Sequence, residues 1–399
     1  MDALKILWLA SSILIFFSSL LCVMRAPSYL TWKLAVGASE FPLHFALVAL
    51  LIFFSGWLLP FRPFSFFNYF CRAGFICSIG AFIFFMYPVL SSALMALDLQ
   101  KAHQRFPFSF LKLMQHKKQI SPVNTYCYKT VEGRELKLDH YPSADPSPSP
   151  CVIVIHGGSW SSGDSKQLPE LNHHLSQKGY HVIAINYRLA PAHHNPAPCE
   201  DVLDAIKYIE KNAKDLNVDP TRLVLLGRSA GGQIALLSAY VMWMRENIKG
   251  VISFYAPADM VWGWSIPGNP LVMDSRKVMS DYIGGTYDEV PQKFRESSPI
   301  EFVQAGVPPT LLIHGGNDCM VSPEHSNRLS KKLAYHHVKY EYLHLPWATH
   351  GFDYNLNGPG GQLSTYVIGN FLEEVCKAGD GKSVSSPAGK EEQQVKDRT

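Results

Sequence analysis

The chain has 399 residues, and its 36 Lys plus Arg against 33 Asp plus Glu leave a formal net charge of only +3. This near balance argues against nucleic acid as a partner, because phosphate recognition requires a clear excess of basic residues. The eight cysteines are scattered without C-x-x-C pairs, which favours free thiols over a zinc site or a disulfide framework. The first hundred residues are very apolar, whereas the remainder has a mixed, globular composition.

Three stretches near the start contain no Asp, Glu, Lys or Arg, namely residues 6–24, 42–60 and 73–97. A transmembrane helix needs about 20 mostly apolar residues, so we predict a membrane anchor with about three transmembrane helices over residues 1–100. A cleaved signal peptide is the poorer interpretation of the first stretch, because no small-x-small site follows it before Arg25. Pro88 leaves a re-entrant segment open as an alternative for the third stretch.

Basic residues near the ends of these stretches predict the orientation of the anchor. If all three stretches span, one side holds seven basic residues and the other three: Arg25, Lys33, Lys101, Arg105, Lys112, Lys117 and Lys118 against Lys5, Arg62 and Arg72. The excess predicts that the part following the anchor lies on the cytoplasmic face of the membrane. With only two spans the prediction reverses. Residues 101–121 are interpreted as a basic linker.

From residue 122 onwards, short apolar runs alternate with amphipathic ones. Residues 126–131 and 135–141 surround Glu132-Gly133-Arg134 and predict a β-hairpin. Further strands are predicted at 151–155, 181–187, 224–227, 251–255, 309–313 and 339–345, with helices at 167–178, 199–216, 230–241, 323–335 and 361–376. Continuous apolar strands separated by helices predict an α/β domain over residues 122–377, in which a mostly parallel sheet carries helices on both faces.

Two segments depart from this alternation. Residues 258–300 are rich in Trp, Pro and Gly and predict an irregular insertion, or cap, over the carboxyl ends of the strands. The tail over 378–399 has almost no apolar residues, and we expect it to be disordered.

The strongest chemical signal is Gly227-Arg228-Ser229-Ala230-Gly231, which lies between an apolar strand and a predicted helix. A G-x-S-x-G sequence in this context predicts a sharp turn that exposes a nucleophilic serine at a helix N-terminus. Without the flanking elements the pattern would be a modest signal. The context makes Ser229 the candidate nucleophile.

A second strand end supports the same chemistry. The strand over 152–155 leads into His156-Gly157-Gly158-Ser159-Trp160, where glycines would allow backbone N–H groups to approach a substrate oxygen. Together with Ala230, Gly157 and Gly158 are the candidate oxyanion donors. An ordinary strand-end turn is the alternative for the glycine pair.

The expected acid and base follow in the order Ser, Asp, His. Asp318 follows the strand over 309–313, and His350 follows the last strand. In a catalytic triad His350 would accept the serine proton, and Asp318 would orient the imidazole. Three pairs of adjacent histidines have no carboxylate or Cys partner at ligand spacing, so neither a metal nor a cofactor is predicted. The pairs are His173-His174, His193-His194 and His336-His337.

Five blocks in this order resemble the hormone-sensitive-lipase-like esterases of the α/β-hydrolase superfamily, a group that includes arylacetamide deacetylase. The blocks are His156–Trp160, Asn186–Pro191, Gly227–Gly232, the Asp318 loop and His350–Phe352, and the similarity covers residues 120–377. The resemblance implies an α/β-hydrolase fold and hydrolysis of carboxylic esters without cofactor or metal. It also implies Ser229, Asp318 and His350 as the triad.

Two positions depart from the family pattern. Arg228 stands where the family more often has Asp, and H-G-G-S-W replaces H-G-G-G. The second form is similar to kynurenine formamidases and to the membrane-bound prenylcysteine methylesterases, which leaves the substrate undefined. The sequence thus predicts a membrane-anchored serine esterase acting on a small lipophilic ester. An amidase or peptidase with the same triad and a non-catalytic binding protein are the alternatives.

Overall fold

The computed structural model describes residues 2–59, 67–103, 106–115, 121–241 and 247–377. Parts of the predicted basic linker, residues 104–105 and 116–120, lie outside the described residues, as does the predicted disordered tail over 378–399.

One eight-stranded sheet organises residues 124–345. Its strands are β1 (Asn124–Val131), β2 (Arg134–Tyr141), β3 (Ser149–Ile155), β4 (His181–Ile185), β5 (Val218–Arg228), β6 (Ile248–Phe254), β7 (Thr310–Gly315) and β8 (Tyr340–Leu345). Their spatial order is β1-β2-β4-β3-β5-β6-β7-β8, and the six strands from β4 to β8 are parallel. The β1–β2 hairpin is antiparallel, as predicted. The mostly parallel α/β class is therefore confirmed.

α-Helices precede, connect and follow the strands of this sheet. They are α1 (Asp2–Leu20), α2 (Tyr29–Glu40), α3 (Pro42–Ser55), α4 (Phe67–His103), α5 (Pro169–Gln177), α6 (Ala197–Lys211), α7 (Ala213–Leu216), α8 (Ala230–Val241), α9 (Met260–Ser265), α10 (Ser275–Ile283), α11 (Pro291–Glu296), α12 (Glu324–Tyr335) and α13 (Pro359–Val375). Side chains of α6, α8 and α12 pack in one apolar core, and those of α5 and α13 pack in another. Alternate residues of the central strands enter the two cores, because successive side chains of a strand point to opposite faces.

Among the described residues, α1 and α4 are the helices long and apolar enough to cross a membrane by themselves. The second predicted span is not one straight helix of spanning length. It begins at Pro42 with α3, continues as a 3₁₀ turn to Leu58, and makes a bend of 90° with α2. The bent pair would supply a third span only if its two arms count as one. Helix α4 continues through Pro88.

The insertion between β6 and β7 is helical rather than irregular. It contains α9, α10 and α11, followed by the 3₁₀ turn Pro299–Phe302. Asp259 and Asp274 cap α9 and α10 by accepting hydrogen bonds from backbone N–H groups of the first turn. The sequence did not predict these helices, because the segment is rich in Trp, Pro and Gly and each helix is only six to nine residues long.

Candidate active site

Ser229 lies in the sharp turn between β5 and α8. Its backbone has a φ of +53°, a left-handed conformation that is strained for a residue with a side chain. The turn requires glycines on both sides, because a Cβ at Gly227 would overlap the backbone of Gly231, and one at Gly231 would overlap that of Ile155. The Ser229 N–H donates to the Phe254 carbonyl of β6 at 2.9 Å, which ties the turn to the neighbouring strand.

The three residues predicted to act together form one hydrogen-bonded chain. The Ser229 hydroxyl is 3.0 Å from His350 Nε2, and His350 Nδ1 is 2.7 Å from Asp318 Oδ2. The loops that bring them together follow β5, β7 and β8, whose carboxyl ends lie at the same edge of the sheet. The arrangement can transfer a proton from the serine hydroxyl to the imidazole while the carboxylate holds the imidazole in place.

Asp318 is held in its ionised form. Burial by itself would raise the pKa of this carboxyl, but the charge of His350 and hydrogen bonds from His314 and His350 outweigh burial and keep its pKa well below the usual range. Its Oδ1 also accepts the backbone N–H groups of Met320 and Val321 at 2.8 and 2.9 Å. The carboxylate can therefore accept the His350 N–H throughout the neutral pH range.

The structure changes the set of candidate oxyanion donors. The N–H of Gly157 donates to Gln167 Oε1 at 2.8 Å, so in this structure it is not available to a substrate oxygen. Within the described chain, the N–H of Gly158 has no acceptor. The N–H of Ala230 lies in the first turn of α8, where helical N–H groups have no partner inside the helix. Gly158 and Ala230 are thus the two predicted donors that remain.

Trp160 anchors the loop that carries Gly158. Its ring stacks on Tyr282 of α10, with centroids 4.4 Å apart, and its Nε1–H donates to Gln233 of α8 at 2.9 Å. Gln233 in turn donates to the Ser297 carbonyl. The Trp of the H-G-G-S-W block therefore joins the loop after β3 to both α8 and the insertion.

Arg228 has a structural role that its sequence position did not reveal. Its Nε is 2.5 Å from Asp353 Oδ2, and both side chains are buried. Asp353 also accepts the hydroxyl of Tyr255, whose ring lies 4.4 Å from the ring of His350. Burial and the neighbouring Asp353 raise the pKa of Tyr255, so this hydroxyl stays protonated and donates. The network links the turn of Ser229 to the loop of His350.

These side chains face a cavity of about 1110 Å³. Ser229, His350 and Gly158 line it together with residues of the insertion, such as Trp262 and Met279. Part of its wall comes from the N-terminal region, including Trp32 of α2. Trp32, Gln167 and Asp353 were missed from the sequence, because none belongs to a local motif and their partners are distant in the chain.

Comparisons with known proteins agree with this architecture. A protein-family profile described as BD-FAE matches residues 138–333. Esterase LipC of Mycobacterium tuberculosis is 30% identical over 249 residues, which cover 58% of this chain and 60% of LipC. Esterase LipQ of the same organism is 29% identical and covers 55% of each chain. This chain therefore spans less than two thirds of the length of these relatives.

Solved structures show the same fold. An esterase from Pyrobaculum calidifontis has a TM-score of 0.58 at 21% identity and covers 73% of this chain and 95% of its own. A structure titled Bacterial Heroin Esterase has a TM-score of 0.57 at 20% identity and covers 64% and 85%. These likenesses show that the chain shares the fold of these esterases, as the resemblance of its sequence to hormone-sensitive-lipase-like esterases implied.

Proposed function

We propose that this chain, an α/β-hydrolase by its fold, is a membrane-anchored serine hydrolase that cleaves carboxylic esters of a lipophilic substrate through an acyl-enzyme intermediate. The observation that carries the proposal is the continuous chain of hydrogen bonds from the Ser229 hydroxyl through His350 to Asp318 at the floor of an open cavity. Similarity to esterases in sequence and fold supports ester hydrolysis.

In the first half of the reaction, Ser229 Oγ attacks the ester carbonyl carbon while His350 Nε2 accepts the hydroxyl proton. The carbonyl oxygen becomes an oxyanion that accepts hydrogen bonds from the N–H groups of Gly158 and Ala230. When the tetrahedral intermediate collapses, the bond to the alcohol oxygen breaks and His350 donates its proton to that oxygen. The alcohol leaves, and the acyl group remains on Ser229.

In the second half, water takes the place of the alcohol. His350 accepts a proton from water as its oxygen attacks the acyl carbon, and the same two N–H groups hold the second oxyanion. Collapse breaks the bond to Ser229 Oγ, which recovers its proton from His350. Asp318 stays ionised throughout and stabilises the imidazolium that forms in each half.

The membrane anchor and the lipophilic substrate are supported by the N-terminal region. Helices α1 and α4 have the length and composition of membrane spans, and α2, which lies between them in the chain, contributes to the cavity wall. A cavity built partly from the anchor would be suited to an ester taken from or near the bilayer. The cytoplasmic position of the catalytic domain stays a prediction, because it depends on whether the bent pair α2–α3 counts as a span.

A fluorophosphonate probe tests the nucleophile directly. We expect the full chain, prepared in membranes, to react with the probe at one position. Mass spectrometry of its peptides should place the phosphonyl adduct on Ser229. The same preparation should hydrolyse p-nitrophenyl butanoate and leave the matching anilide intact, whereas turnover of the anilide would indicate an amidase. A protein that folds and neither labels nor hydrolyses would support the non-catalytic alternative.

Substitution of Gly158 by alanine tests the oxyanion loop. Gly158 has a φ of +122°, and a Cβ there would collide with the carbonyl of Ser162, so the loop must shift and displace its N–H. We expect kcat to fall by about a hundredfold or more, the usual cost of losing one oxyanion donor. Gly179→Ala is the matched control, because its φ is +93° but its nearest neighbour, in Asp145, is 3.9 Å away and outside the site. Equal rates for the two variants would argue against a role for Gly158.

A further inference from the structure

Helix α2, which lies between α1 and α3 in the chain, forms one wall of the catalytic cavity. Tyr29, Trp32, Lys33, Val36 and Gly37 of α2 line the cavity, as does Phe41 at the C-terminal end of this helix. These positions recur at the spacing of one helix face. The opposite face, with Ala35 and Ala38, is buried against the remainder of the protein. Helix α2 is therefore placed between the protein body and the space above Ser229.

Hydrogen bonds attach this segment to two loops of the site. The Trp32 Nε1–H donates to the carbonyl of His350 at 2.8 Å, across 318 positions of the chain. The Tyr29 N–H donates to the Leu271 carbonyl of the insertion at 2.9 Å, and Asn269 donates to the Pro27 carbonyl at the same distance. Helix α2 and the residues just before it are thus attached both to the loop of His350 and to the insertion between β6 and β7.

The chemical character of the wall changes along α2. Near His350 it carries Tyr29, Trp32 and Lys33, whose ammonium group lies over the Tyr29 ring. Further along it carries Val36, Gly37 and Phe41. From Trp32 to Phe41 a helix advances about 14 Å, and it ends where the strongly apolar α3 begins. From Val36 onwards the wall is therefore apolar, and it leads away from the catalytic base towards α3.

Gly37 leaves open space in this wall. A Cβ built on Gly37 would meet no atom within 4 Å, although the residue lines the cavity. Gly37 has no left-handed backbone that would require glycine, and glycine in the middle of a helix is unfavourable. Neither packing nor backbone conformation therefore accounts for the absence of a side chain here. A ligand group in this space would account for it.

We propose that α2 is a specificity element of the active site, and that one apolar chain of the ester lies against Val36 in the space over Gly37, with its end directed towards α3. This inference rests on the proposed function and adds the position of the substrate chain to it. It makes the N-terminal region a part of the binding site as well as an anchor. Substrates with a long apolar chain would gain contacts along α2 that short esters lack.

The variant Gly37→Leu, made in the full chain, tests this proposal. Leucine favours the helix more than glycine does, so α2 should form, while its side chain fills the space beside Val36. We expect the ratio of kcat/KM for long over short esters to fall about tenfold or more, since hydrophobic pockets discriminate by this amount per methylene. Two substrate series show whether the acyl or the alcohol part of the ester lies along α2. One is p-nitrophenyl esters from acetate to dodecanoate, and the other is acetates of alcohols of increasing length.

Gly369→Leu is the matched control. Gly369 also lies within a helix, α13, its Cβ would also meet nothing within 4 Å, and it does not line the cavity. This variant should keep the wild-type ratio in both series. Labelling with the fluorophosphonate probe counts active sites, so a loss of folded protein cannot imitate a change in chain-length preference. Gly37→Ala, a smaller change, should move the ratio in the same direction by a smaller factor.

Two failures remain distinguishable. If Gly37→Leu keeps the wild-type ratio in both series while it still hydrolyses esters and labels at Ser229, the position of the substrate chain is wrong and the hydrolase function stands. If the wild-type protein neither labels at Ser229 nor hydrolyses any member of the two series, the proposed function itself fails.

Discussion

Replacing Ser229 with alanine is expected to lower kcat for ester hydrolysis on the order of a million-fold, the loss seen when the serine of such a triad is removed. The variant loses the oxygen atom that carries the acyl group in the proposed mechanism, whereas the two N–H donors and the cavity remain. Some residual acceleration over water should therefore survive. Active-site labelling and p-nitrophenyl butanoate turnover, measured on equal amounts of folded protein, give the ratio.

Ser161→Ala provides the comparison for this experiment. Ser161 is an exposed serine of the neighbouring loop, and its side chain does not line the cavity. It should retain turnover and labelling within a small factor of wild type. If Ser229→Ala kept more than about a thousandth of the wild-type kcat, a nucleophile other than Ser229 would have to be sought.

Replacing Asp353 with alanine is expected to cost about 3–5 kcal/mol of stability, because it leaves the Arg228 guanidinium buried without a counterion. For a domain of this size the loss corresponds to a fall in Tm of about 10 °C. Activity should fall as well, since Tyr255 loses the acceptor that holds its ring beside His350. Thermal unfolding in detergent, followed by tryptophan fluorescence, measures the first effect.

Two further variants separate the buried pair from a general effect of losing an acidic residue. Asp281→Ala breaks the largely exposed pair with Lys277 and should cost less than about 1 kcal/mol. The double variant Arg228→Met with Asp353→Leu replaces the buried pair by apolar groups and should recover much of the lost stability. An unchanged Tm for Asp353→Ala would show that the Arg228–Asp353 pair does not support the fold.

The same pair explains why the departure from the family pattern was uninterpretable from sequence. A basic residue beside the nucleophile could have been a surface change or a sign of lost activity. Its partner lies 125 positions away, in the 3₁₀ turn that follows His350, and no local pattern connects the two. Only the packing of β5 against β6 and the return of the chain after β8 bring them together.

Three features could be predicted from the sequence: the alternation of strands and helices, the strand-to-turn context of Ser229, and the order of Asp318 and His350. These follow from local rules, because the apolar periodicity of each element and the residues of each turn are adjacent in the chain. The other features of the site depend on the tertiary structure. In the folded protein the Gly157 N–H donates to Gln167, and Arg228 is buried against Asp353. Helix α2 makes a bend with α3 and lines the catalytic cavity. Each depends on contacts between distant segments, whose free energy exists only once the sheet has brought those segments together.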